Sequence, residues 1–294
     1  MIYILHIAIL VAIYSILAMS LDVLVGHSGL LSLTQGAFFG IGAYASAQAT
    51  VIYHLPFIMS LMVGMIAAWF FSVVLALFTA RLKGDFYFIA TFAFQLLISY
   101  AFVDLTRITG GPLGIVDIRP YAFFWMSAVS QLDFAVMAGL CAVIVALVIR
   151  RITAGPLGRA LHCIREDDVI SSGYGKNVFL LRLRAMAVSA VSAAIAGVLY
   201  AHYVTFIDPS SFTFSESVLV LAMVVIGGSG SVWGPVVGAS TLILLPELLR
   251  FVGLSSSTAS MLRQIMYGSA LIGLMLWRSQ GLIGKYDFRG DDRV

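Results

Sequence analysis

Charge is scarce in this chain. Asp, Glu, Lys and Arg supply 11% of its residues while hydrophobic side chains supply 61%, whereas soluble domains run at about 25% charged and about 45–50% apolar. A water-soluble domain of 294 residues could not hide that excess of apolar surface, so lipid must be the solvent for much of it. Cysteine is nearly missing too. Cys141 lies in an apolar run and Cys163 in a charged loop, which excludes a disulfide framework and a cysteine metal site. The net charge of +3, with no long basic stretch, argues against a nucleic-acid partner. His6, His27, His54, His162 and His202 are scattered, with no i, i+4 pair, so no metal site is expected. Paired carboxylates and a Ser/His/Asp arrangement are also lacking, which counts against a membrane enzyme. The apolar N-terminus, Met1 to Ser20, has no basic residue ahead of it and no small-residue cleavage site after it. It reads as a retained span rather than a cleaved signal.

What is present is a series of helix-length apolar runs, at 2–22, 29–52, 56–80, 86–103, 128–149, 184–206, 214–228, 231–250 and 262–279. A hydrocarbon core about 30 Å thick takes roughly 20 apolar residues per helix. The expected fold is all-α: one polytopic transmembrane helical bundle over residues 1–294, with broken or re-entrant helices. Gly227, Gly228, Gly230, Gly234 and Pro235 interrupt 214–250, so that stretch is either two crossings or half-helices that dip in and return. With nine spans and the C-terminus inside, thirteen of the 17 basic residues fall on inner segments and four on outer ones, as short cytoplasmic loops require. The N-terminus is then outside. The longest polar segment, 150–183, is the natural docking place for a cytoplasmic protein.

Within that segment, residues 158–175 mix apolar Leu161 and Ile164 with Arg159, Arg165, Glu166, Asp167 and Asp168. This predicts a short amphipathic helix stopped by Gly173 or Gly175. The alternative is an ordinary solvated loop helix. A second polar-interrupted region holds Ser32, Thr34 and Gln35 just ahead of the Gly36 and Gly40 pair, an expected structural glycine break. Its polar groups either bond neighbouring backbone in a tight helix contact or line a path, and the sequence favours packing. Phe39 belongs to the same candidate path. Gly228, Gly230, Gly234 and Gly238 form another small-residue break; the absence of a Walker lysine there excludes a nucleotide site. His202, between Tyr200 and Tyr203, either anchors the outer end of its span at the headgroup level, the favoured reading, or sees solute. Few acidic residues fall inside the runs, which weighs against the alternative of an ion-coupled carrier or channel acting alone.

Several stretches, in their order and spacing, resemble the permeases of branched-chain amino-acid ABC importers, the M-type of the H/M pair. They are GHSGLLSL at 26–33, FFGIGAY at 38–44, TGGPLGI at 109–115, and Gly158-Arg159 with IREDD at 164–168. YAHY at 200–203, DPSSF at 208–212, MVVIGGSGSVWGPVVG at 223–238 and LPELLR at 245–250 complete the set. The resemblance covers nearly the whole chain. It implies that residues 158–175 are the helix that seats in an ATPase, with Arg165 to Asp168 on the contact surface. It also implies a homologous H-type permease, two cytoplasmic ATPase subunits, an external solute-binding protein, a bacterial-type inner membrane and no cofactor. Related permeases serve urea, amides and aromatic acids as well. His27 stands at a position commonly aromatic in such proteins.

Overall fold

The computed structural model describes residues 2–79, 81–82, 84–118, 130–173 and 175–250, together with Gly268 and Leu282. Helix α1 (Ile2–Asp22) runs into a π-helical turn, Val23–His27, and residues 29–34 are non-helical. Then come α2 (Gln35–Val51), α3 (Phe57–Thr79), α4 (Gly84–Asp104), the short α5 (Thr106–Thr109) and α6 (Gln131–Ala154). Two short helices, α7 (Pro156–Glu166) and α8 (Asp168–Gly173), precede α9 (Val178–Val204), α10 (Phe214–Gly227) and α11 (Trp233–Arg250). The fold is the all-α polytopic bundle that the hydropathy predicts. Five of the described helices, α1 with its π-turn, α3, α4, α6 and α9, are long and apolar enough to cross a membrane.

Local chemistry sets several boundaries away from the hydropathy edges. Asn177 accepts the Leu180 amide hydrogen at 3.1 Å, so α9 starts at its cap, six residues before the expected 184, and takes in Arg182 and Arg184. Ser130 and Asp133 form a capping box that fixes the start of α6. The expected run 29–52 yields only the 17 residues of α2 as helix. The expected crossings at 214–228 and 231–250 are a pair of helices packed on each other. At 1.5 Å per residue, α10 reaches about 21 Å, short of a hydrocarbon core of about 30 Å. The ninth expected span, 262–279, lies outside the described residues.

Helix α2 is the centre of the bundle, against α9, α3 and α10. Small residues bring the backbones together. A methyl group on Gly64 of α3 would sit 2.8 Å from Val198 and 3.0 Å from the Gly42 carbonyl oxygen, and one on Gly197 would run into the Phe39 carbonyl. The outer helices are inverted relative to a soluble protein: Ile66, Phe70, Phe78, Leu97, Val136 and Leu147 are exposed. Such a surface is stable only against lipid or other apolar chains.

Contacts sort the loops to two ends. At one end Arg182 donates to the Leu82 carbonyl at 2.9 Å, and α7 lies beside the π-turn and α9. At the other, His6 Nδ1 lies 2.5 Å from the Tyr203 hydroxyl and Ile115 bridges Ile207.

Candidate coupling and translocation site

Pro156 opens α7 at a position where its missing amide hydrogen costs nothing. Gly158, Leu161 and Ile164, at a three-residue spacing, are buried, while Cys163 and Glu166 on the other faces are exposed. The single helix expected over 158–175 is two: α7 ends at Glu166, Asp167 is extended at φ −157°, and α8 begins at Asp168. The break falls within the acidic run. Ending α7 at Glu166 leaves Asp167 just ahead of α8, near the positive end of that helix's dipole. Gly175 is left-handed, at φ 74°, two residues past the end of α8. The Asp168 side chain lies outside the described residues.

Two residues of α7 reach the break after α1. The His162 ring lies 5.2 Å from that of His27, and Arg165 donates to the Gly26 carbonyl. The Arg165 stem also lies against Gly29, where a methyl group would come within 2.9 Å of Cγ; Gly29 is left-handed at φ 67°. Burial first, and then the neighbouring Arg165 guanidinium, hold the His162 imidazole below its ordinary value, with Glu166 pulling the other way.

Further into the bundle, Gln35 is fully buried. It accepts from Ser20 and donates to Ser189, both at 2.9 Å. Ser32 and Thr34 lie 2.9 Å apart and are buried. The first amide hydrogens of α2 are met by other helices: Gly36 donates to Ser217 at 2.8 Å and Ala37 to Gln95 at 2.6 Å. Phe39 belongs to an aromatic cluster with Tyr14, Tyr200 and Phe212. Phe212 enters it from the 3-10 turn at Pro209–Phe212 and also meets Tyr44 and Phe102. Next to that turn, burial pushes the Asp208 carboxyl up, but hydrogen bonds from Ser210 and Ser211 outweigh it and leave Asp208 below its ordinary value.

His202 stands apart from these groups. It is 2% exposed, with Nε2 3.0 Å from Ser46 and 3.3 Å from Ser60 and its ring edge-on to Phe57. It ties α9 to α2 and α3, which differs from an anchor at the headgroup level. Gly36 and Gly40 also differ from the expectation of breaks. Both lie inside α2, Gly36 close to the Thr213 carbonyl oxygen and Gly40 close to the Phe102 ring; the non-helical residues precede them, at 29–34. Gly228 and Gly230 do occupy a break, at φ 98° and 80°, and Gly234 and Gly238 pack against Gly228 and Met223 across it.

Sequence reasoning overlooked Gln95, Ser217 and Glu216, whose carboxylate accepts from Tyr14 at 3.2 Å. A lone amide in the middle of the run 86–103 was a signal for Gln95, because polar groups in lipid must find partners.

Apolar helices of crossing length, wrapped around a short central helix that begins inside the bundle, define a polytopic membrane permease. The chain belongs to the family described as the permease component of the branched-chain amino acid transport system, whose profile matches residues 3–277. It is 35% identical over 300 residues to the high-affinity branched-chain amino acid transport system permease protein LivM of Escherichia coli K12, covering 94% of this chain and 69% of that protein. The LivM of Salmonella typhimurium is 34% identical over the same shares. The probable branched-chain amino acid transport permease protein LivM of Methanocaldococcus jannaschii is 26% identical over 90% of this chain and 84% of that protein. The resemblance to M-type permeases seen in the sequence therefore holds. No solved structure matches the chain.

Proposed function

We propose that the chain forms part of the translocation path of an ABC importer for branched-chain amino acids or similar small polar solutes, and that α7 and α8 receive the stroke of a separate ATPase. The observation that carries this reading is the seating of α7. One face is buried on the bundle through Gly158, Leu161 and Ile164, Glu166 remains exposed, and Arg165 holds the turn that leads into α2. Gly158, Arg159, Ile164, Arg165, Glu166, Asp167, Asp168 and Gly175 are the coupling set. A helix fixed to the bundle on one side and charged on the other can pass a push inward.

The partners are a homologous H-type permease, two ATPase subunits and an external solute-binding protein, in a bacterial-type inner membrane. The end bearing α7, rich in Arg150, Arg151, Arg159 and Arg165, is cytoplasmic by the excess of basic residues, and the N-terminus is outside. Ser32, Thr34, Gln35 and Phe39 are the candidate path residues, and His202 supports them through α2. The permease binds cargo weakly, because only a difference in affinity between two states can shift their balance. Replacing Glu166, Asp167 and Asp168 together by Ala is expected to abolish ATP-driven uptake in vesicles and loosen co-purification of the ATPase. Normal uptake with normal docking would overturn the assignment.

A further inference from the structure

The Asp22 carboxylate joins the turn after α1 to a segment some two hundred residues away in sequence. It is 3% exposed, and its Oδ1 accepts the Gly230 amide hydrogen at 2.9 Å. Its Oδ2 lies 3.8 Å from His27 Nδ1. Gly26, one helical turn on, is wedged between them: a methyl group there would strike the Asp22 carboxylate and come within 2.5 Å of the Gly230 nitrogen. The carbonyl of this same Gly26 is the one that Arg165 of α7 grips, and His27 is the ring that His162 meets. A chain of direct contacts therefore runs from α7, through Gly26 and Asp22, to the glycine break between α10 and α11.

We propose that Asp22 is a positioning residue that carries movement of α7 to the break at Gly228–Gly230, and so to the α10–α11 pair. The inference rests on the reading of α7 as the ATPase seat. The chemistry favours a carboxylate over a neutral acceptor. A carboxyl group buried this deeply needs hydrogen bonds and nearby positive charge to carry its own charge; the Gly230 amide supplies the bond, and the Arg165 guanidinium, held on the Gly26 carbonyl, brings positive charge toward it from α7. Withdrawing α7 therefore takes that positive charge away from Asp22 and releases the Gly26 carbonyl together. The element between them suits a two-state joint. Val23–His27 is a π-turn, and such turns are isolated, sparsely used and concentrated at functional positions. A π-turn holds one residue more than an α-turn. Reverting to α-geometry would rotate the following chain by about 100° and advance it by about 1.5 Å. The missing side chain at Gly26 lets the π-turn lie directly against Asp22 and Gly230, so a shift in one is felt by the others, and Gly228 and Gly230 hold positive-φ backbone that glycine can leave and re-enter. A purely structural staple would tie the same groups, but it would not make transport depend on the charge of Asp22.

The test uses the full reconstituted importer. Asp22→Asn keeps an acceptor for the Gly230 amide and removes the negative charge; Arg165→Gln, on the half-buried face of α7, cuts the tether to the Gly26 carbonyl from the other side. Both are measured for solute imported per ATP hydrolysed. In a Cys141→Ser background, the distance between spin labels on Cys163 and on Trp233→Cys is followed with and without nucleotide. Cys163 and Trp233 are both exposed. The expected result is a tenfold or greater fall in import per ATP for each variant, loss of the nucleotide-driven distance change, and a double variant no worse than the worse single one. Import per ATP within twofold of wild type in both variants overturns the relay while leaving the docking reading intact. If Asp22→Asn fails to assemble, the ratio in Arg165→Gln alone decides. A Cys163 label that nucleotide leaves unmoved in the wild-type importer overturns the docking reading itself.

Discussion

The side-chain oxygen of Gln95 lies 2.6 Å from the amide nitrogen of Ala37, so a residue of α4 closes the first turn of α2. Helix starts inside an apolar bundle have no water to satisfy them. Gln95→Leu fills the space but strands a buried amide, and the expected cost is about 1–3 kcal/mol. Thermal unfolding in detergent reads this as a lowered midpoint. Ser217→Ala should behave similarly, and because Ser217 also donates to Gln95 at 3.1 Å, the two losses should add to less than their sum. Strict additivity would show that the groups do not form one cap.

Burial of His162 against the bundle, beside the Arg165 guanidinium, makes the seating of α7 sensitive to pH. The folded-state value of His162 lies below its ordinary 6.5, so the folded form prefers the neutral ring and the unseated form binds more protons. Stability from this site is fully present above 6.5 and is lost as pH falls below it toward the lowered value. Asp22, Arg165 and Glu166 are the charged groups around the His162 and His27 rings. The protection of residues 156–166 from hydrogen exchange, taken relative to the intrinsic rate at each pH, should fall between pH 7.5 and 5.5 in the wild type, and much less in His162→Phe. An equal fall in protection in both would remove His162 from the explanation.

Close packing of α2 on α9 predicts a contrast between two glycines. A side chain on Gly197 meets the Phe39 carbonyl, while Gly139 on α6 has nothing within 4 Å. Gly197→Leu should therefore leave little folded protein in the membrane, since overpacking costs about 1–3 kcal/mol or more. Gly139→Leu should express at the wild-type level. Size-exclusion profiles of the two variants give the comparison.

Cys163 is exposed on α7 and Cys141 is partly buried within α6, so a membrane-impermeant thiol reagent can report the topology. Labelling of Cys163 is expected in inverted vesicles or after permeabilisation, and absent in intact cells. Ready labelling from outside would reverse the orientation and remove α7 from reach of any cytoplasmic ATPase.

Which of these features the sequence discloses follows from the range of the forces involved. Lys and Arg cluster at 150–184 because charge cannot enter hydrocarbon, and that constraint acts residue by residue, so the polar segment and the apolar runs on either side are legible. The amphipathic spacing of Gly158, Leu161 and Ile164 is legible for the same reason. The break at Asp167 is less so, since it depends on a helix dipole that exists only once α7 has formed.

Composition alone determined that this chain is a lipid-solvated helical bundle, because an apolar excess can be stabilised in few other ways. The order of its small-residue and charged motifs determined the family. Only the tertiary structure decided that Gln95 caps α2, that His202 joins α9 to α2 and α3, and that Asp22 meets both the π-turn and Gly230. Apart from the step from Asp22 to the adjoining π-turn, those pairings link residues in separate helices, and hydrogen-bond partners at such distances are chosen by how helices cross, which no local pattern encodes.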